Sequence, residues 1–205
     1  MRPIPSLPSP LHRTLRQRGV AAVELALLLP MLVVLMLCAI DGARALQANI
    51  IITNIGREGA NLVARGGYDL DTDSQTVISA VMATAPPLDV GKQGMMYITR
   101  VMGSGARNVV LDQYRWDDGS AGFSASKYAP TSKIYSCTSW KTSKCANISS
   151  VTRPTAPVMT GKLDEGEVVF VVETFYRFDM MVSSFSLGAS TLPTFGPDLY
   201  SMTIF

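Results

Sequence analysis

A single carboxylate constrains this chain more than any other residue. Glu24 stands five positions after Gly19, inside a run from Val20 to Ile40 that is apolar except for Glu24 itself and Pro30. As a helix rising ~1.5 Å per residue, the 21 residues of the run reach about 31 Å, close to the ~30 Å hydrocarbon core of a bilayer. An ionisable group in such a span costs ~2.5–3.5 kcal/mol at the centre and less toward an end. Its presence near the start of this span therefore needs a purpose.

Charge placement sets the orientation. Residues 1–19 hold four of the 18 Lys and Arg residues, with Arg13, Arg16 and Arg18 clustered before the run, and none of the 16 Asp and Glu residues. Beyond Gly19 the balance turns slightly acidic, and Asp41 closes the run on its far side. Basic residues stay on the cytoplasmic side of a span, which predicts an N-terminus in the cytoplasm and the rest of the chain outside it. No other basic run or aromatic-interleaved patch is present, so the charge is a topology signal and no nucleic-acid partner is expected.

Four readings of the N-terminus compete. A plain signal-anchor accounts for the length but not for Glu24. A cleaved secretory signal has an A-x-A-like site at Ala43-Arg44-Ala45, but the apolar run exceeds the 7–15 residues of an ordinary h-region. A lipoprotein signal meets bulky Leu37 before Cys38, where a small residue is expected. A prepilin-type leader, cut between Gly19 and Val20, gives the carboxylate work to do. Cleavage leaves an α-ammonium on Val20, and the Glu24 of a neighbouring subunit pairs with it during assembly, neutralising both charges in a low-dielectric setting.

The segment RGVAAVELALLLPMLVVLML, followed by DGARALQANIIITNIGREGANLVARGG, resembles the TadE/TadF family of minor pilins, or pseudopilins, of the Tad/Flp type IV pilus system, with TadE the nearer of the two. Gly19, Glu24, Pro30 and Arg57-Glu58-Gly59-Ala60 carry the resemblance, which covers residues 16–66. It implies maturation by a prepilin peptidase and partnership with the inner membrane, other pilins and the pilus assembly machinery. It also implies a part in assembly or initiation of Flp pili, in the service of adhesion and biofilm formation. Val20 departs from the aromatic that many prepilins carry after the cut. The alternative is a membrane-anchored or secreted extracytoplasmic binding domain outside any pilus.

The expected fold class is α+β: a long N-terminal pilin-like helix and a small antiparallel-sheet head. Residues 1–19, with prolines at 3, 5, 8 and 10, read as a non-helical leader. The transmembrane helix covers 20–40, its extracytoplasmic continuation 41–66, and Gly66-Gly67 stop it. Ile51, Ile55 and Leu62 share one face of the continuation; Asn54, Arg57, Asn61 and Arg65 share another. Gly56, Gly59 and Ala60 permit close approach, either of the chain's own head or of a neighbouring subunit. The head then occupies 67–205. Within it, SQTVISAVMATA reads as a helix capped by Asp73 or Ser74 and halted at Pro86-Pro87.

Residues 95–102 and 108–116 read as a hairpin, 167–178 as an interior strand, and the C-terminal segment as an edge strand. Between them, 117–166 reads as one long loop. An oxidising location allows Cys137 and Cys145 in that loop to form a disulfide worth roughly 2.5 kcal/mol; two free thiols are the alternative.

The chain offers little to an enzyme. Its single histidine, His12, lies in the leader, which leaves no Ser/His/Asp or Cys/His arrangement in the mature chain. No cofactor and no metal are expected. The aspartates at 69, 71 and 73 lack the glycine and glutamate that a calcium loop needs. The pairs Asp117-Asp118 and Asp164-Glu165 read as solvated turn residues.

Overall fold

A computed structural model describes residues 11–65, 69–117, 128–151, 153–181 and 196–205. The expectations placed on the prolines at 3 to 10, on Gly66-Gly67 and on Asp118 fall outside the described residues. The architecture is α+β. A long helix, α1 (Leu11–Ala64), is followed by α2 (Leu70–Met82) and a single turn, α3 (Val90–Gln93). Seven antiparallel strands complete the head: β1 (Gly94–Ser104), β2 (Arg107–Arg115), β3 (Trp140–Lys141), β4 (Lys144–Cys145), β5 (Thr155–Ala156), β6 (Val168–Arg177) and β7 (Asp198–Ile204).

The helix begins earlier than the leader boundary implies. The last early proline is Pro10, and nothing between Leu11 and Gly19 forbids helix; Gly19 costs ~1 kcal/mol of propensity without breaking it. Its 54 residues extend ~81 Å. Along Val20–Met36 every residue is exposed, whereas beyond Asp41 one stripe (Ala48, Ile52, Ile55, Gly56, Gly59, Ala60, Val63) is buried.

That stripe lies on the sheet, whose order is β3-β4-β2-β1-β6-β7, with β5 also on β2. α1 runs antiparallel to β6: a Cβ on Gly56 would meet the Thr174 hydroxyl at 3.4 Å and that of Thr203 at 3.5 Å, and one on Gly59 would meet Met96 and Val172 at 3.7 Å. α2 packs beside α1, adding Val77, Ile78 and Val81 to a core with Met96, Ile98 and Tyr114. Side chains alternate across a sheet, so Val101, Val110, Val169 and Val171 face the other way. There they pack with Ile134, Ala156, Val158 and Leu163 from the crossing segment.

The β1–β2 hairpin pairs Ser104 with Arg107 around Gly105-Ala106. Gly105 takes a φ of 62°, as the first position of a two-residue type II′ loop requires. β6 lies inside the sheet between β1 and β7, and β7 forms the edge, as the strand patterns led us to expect.

Two expectations need correction. Helix α2 starts at Leu70, not after Asp73: Asp69 adopts extended geometry and its carboxylate accepts the N–H of Asp71 at 3.0 Å. Burial of Leu70 pulls that extra turn into the core. The helix also ends at Met82, ahead of Pro86, where the Thr84 hydroxyl bonds the Val81 carbonyl at 2.7 Å. Residues 117–166 are not one loop, because β3, β4 and β5 lie within them and extend the sheet through β2. Strands of two residues are too short to show a period of two.

Candidate functional site

The residues singled out in the sequence fall in three places. Gly19, Val20 and Glu24 lie on the inner half of α1. Val20, Val23, Leu28 and Leu29 are each more than half exposed, on all sides of the helix. A helix apolar around its whole circumference has no stripe to bury against one partner; it suits a bilayer or a bundle of like helices. By length and composition this helix is able to cross a membrane. Glu24 is exposed in this surface with no ion pair among the described residues.

Arg57-Glu58-Gly59-Ala60 lie at the far end of the helix and are split by it. Gly59 and Ala60 are buried on the sheet, while Arg57 and Glu58 point outward. The small residues are thus used within the chain, and the charged pair remains on the surface.

Cys137 and Cys145 are joined in a disulfide. It staples the β3–β4 hairpin, whose tip residue Thr142 takes a φ of 57°. Lys144 on β4 donates to Asp71 at 2.5 Å and to Asp112 at 3.0 Å, and Arg100 also pairs with Asp112. The Tyr114 hydroxyl donates to Asp71 at 2.6 Å. The Lys144 ammonium foremost, then the Tyr114 hydroxyl, holds the Asp71 carboxyl below its ordinary range. The aspartate once weighed for calcium therefore serves as a clasp between α2 and β4.

Sequence reasoning missed two anchors. Asp41 marks the end of the apolar run, yet it is only 3% exposed. It pairs with Arg44 at 3.3 Å and accepts the backbone N–H of Met181 at 2.9 Å. Glu173, in the middle of β6, is fully buried. It accepts from the Ser132 hydroxyl, from the Lys133 N–H at 2.9 Å and from the Tyr200 hydroxyl at 3.1 Å. Gln113 extends this network to Thr99 at 3.2 Å and to Ser132 at 3.0 Å. Nearby, burial pushes the Tyr97 phenol up to about 12, so it stays a neutral donor to the Pro130 carbonyl at 2.7 Å.

These buried polar groups pin residues 130–135 to the sheet, where apolar contacts alone would leave that segment free to slide. Asp117, expected in a solvated turn, is instead buried: its N–H donates to Gln75 at 2.9 Å, which draws it under α2. Asp164 and Glu165 are exposed in the turn before β6.

The site is therefore a helix of two characters, with a carboxylate near its inner end and a sheet clamped on its outer half. Residues 19–61 match the TadE family, described as TadE-like protein. The TadE-like stretch opens on Gly19 and closes one residue beyond Ala60, so it coincides with α1 from Gly19 to the face on the sheet. No curated protein and no solved structure matches the chain.

Proposed function

We propose that the protein is a TadE-like minor pilin, or pseudopilin, that takes part in assembling or initiating Tad/Flp pili, and through them in adhesion and biofilm formation. The observation that carries this reading is the TadE-like match beginning at Gly19 on a helix whose apolar surface is covered by none of the described residues. In this reading the inner half crosses the inner membrane once, with the N-terminus in the cytoplasm and the head outside. A prepilin peptidase cuts between Gly19 and Val20. Both residues lie within α1, so the peptidase has to open a helical turn, a task eased by glycine's ~1 kcal/mol lower helix propensity. The new ammonium of Val20 then pairs with Glu24 of a neighbouring subunit, which fixes the axial stagger between the two.

Intact-mass and N-terminal analysis of the membrane-extracted protein, expressed with its prepilin peptidase, tests the reading. A terminus at Val20 that disappears when the peptidase is inactivated supports it. An intact leader, or a start near Leu46, makes the protein an anchored or secreted domain and removes the pilus assignment. Gly19→Arg is expected to block processing. Glu24→Ala is expected to leave cleavage largely intact and impair assembly, and normal piliation in that variant removes the charge-pairing mechanism.

A further inference from the structure

The corner that ends β6 is tied to the point where α1 leaves its apolar run. Asp41 directly follows Ile40, and its hydrogen bond from the Met181 N–H, 2.9 Å long, holds residues 178–181 at that level. Met181 is 47% exposed and Ile40 37% exposed, so the corner presents apolar surface at the height where the helix surface is still apolar. Arg44, ~4.5 Å further along the axis at its backbone, lays its guanidinium 3.3 Å from the Asp41 carboxylate and 5.4 Å from the centre of the buried Phe178 ring, with its side chain still 46% exposed. Apolar surface first and a cation just above it is the order of a bilayer interface, where acyl chains give way to phosphates.

We propose that Met181 and Arg44, carried on the corner whose buried ring is Phe178, form a second membrane contact, with Met181 in the acyl boundary and the exposed part of Arg44 reaching lipid phosphate. The head of the membrane-resident protein then rests on the bilayer instead of standing clear of it. The proposal depends on α1 crossing the membrane, and its test separates the two claims.

The full chain carrying Cys38→Ser is reconstituted in phosphatidylethanolamine/phosphatidylglycerol vesicles. An environment-sensitive fluorophore is attached through Met181→Cys, Leu32→Cys or Val151→Cys. Cys137 and Cys145 are engaged with each other, so labelling is confined to the introduced thiol. A nitroxide placed high on the lipid acyl chain is expected to quench the probe at 181, one placed near the end of the acyl chain to quench that at 32, and both to spare that at 151, which is 90% exposed on the head. Water-borne iodide on both sides of the membrane is expected to reverse that order.

Quenching at 32 with position 181 behaving like 151 overturns the corner contact and leaves the span intact. A probe at 181 shielded from both quenchers also overturns it and assigns the corner to a neighbouring subunit. No lipid quenching at 32 removes the span and the proposal together. The native chain supplies a check without substitution. Met181 and Met202 are similarly exposed, at 47% and 43%, and a water-borne oxidant acting on the vesicles is expected to convert Met202 to sulfoxide faster than Met181. Equal rates overturn the proposal.

Discussion

The inner and outer halves of α1 share one backbone and differ in what covers them. Leu32 is 57% exposed and its neighbours surround the helix with the same apolar surface, whereas Ile52 is fully buried, with Tyr176 and Phe178 in the same cluster. The outer half is an ordinary amphipathic helix, stable because one stripe is removed from water by β6 and β7. The inner half is covered by none of the described residues and suits an apolar surrounding that satisfies no backbone group, where every N–H and C=O must bond within the helix. One helix thus carries two surfaces suited to two solvents, and Asp41 marks the change between them.

The largest expected effect breaks the inner half alone. Leu32→Arg should cost roughly 2.5–3.5 kcal/mol of membrane insertion, read as a shift from the membrane to the soluble or aggregated fraction. The melting of the head should stay where it was, because the site is remote from the sheet. A head that melts earlier would mean that the halves are coupled.

Next in size is a pair of glycine substitutions that separates the halves from the other side. Gly56→Leu drives a branched side chain into Thr174, Thr203 and Ser201 and should destabilise the head by about 1–3 kcal/mol without affecting insertion. Gly42→Ala adds a methyl where nothing lies within 4 Å and should stabilise the helix by about 0.5–1 kcal/mol. Thermal melts of both variants in the same detergent check the contrast; equal and opposite effects are not required, but the two signs are.

The smallest effect asks how much of the platform under the outer half depends on charge. Asp71→Asn removes the clasp to Lys144, and because both side chains are well exposed the loss should stay below ~1 kcal/mol at neutral pH. The folded-state carboxyl titrates below its ordinary value. Its contribution is therefore complete above the unfolded value near 3.9 and disappears as the pH falls through the lower folded value. Melts of both proteins at descending pH should converge at the acid end; a gap that widens on acidification would reverse the assignment.

Much of this was legible in the chain itself. The 3.6-residue spacing of apolar residues in the outer half, the two strand patterns of the hairpin and the β-branched and aromatic run of 167–178 each state a local preference that packing did not overturn. The helix start was misplaced because the prolines obscured how soon they end, and the α2 cap because Asp69, Asp73 and Ser74 are all competent caps. Burial of Leu70 chose among them. Glu173 is a charge in the middle of an apolar strand, but its partners Ser132 and Lys133 lie 40 or more positions earlier, and no periodicity links residues so far apart.

The sequence by itself determined the apolar run, the glycine and carboxylate at its start, and the longer strands of the head (β1, β2 and β6), because each follows from composition and spacing over a few turns. Only the tertiary structure decided which small residues of Arg57–Ala60 are spent inside the chain, that Asp41 is a buried tie and not merely a boundary charge, and that Asp71 clasps a hairpin. Those outcomes depend on which surfaces meet, and that is fixed by the closure of the sheet against α1.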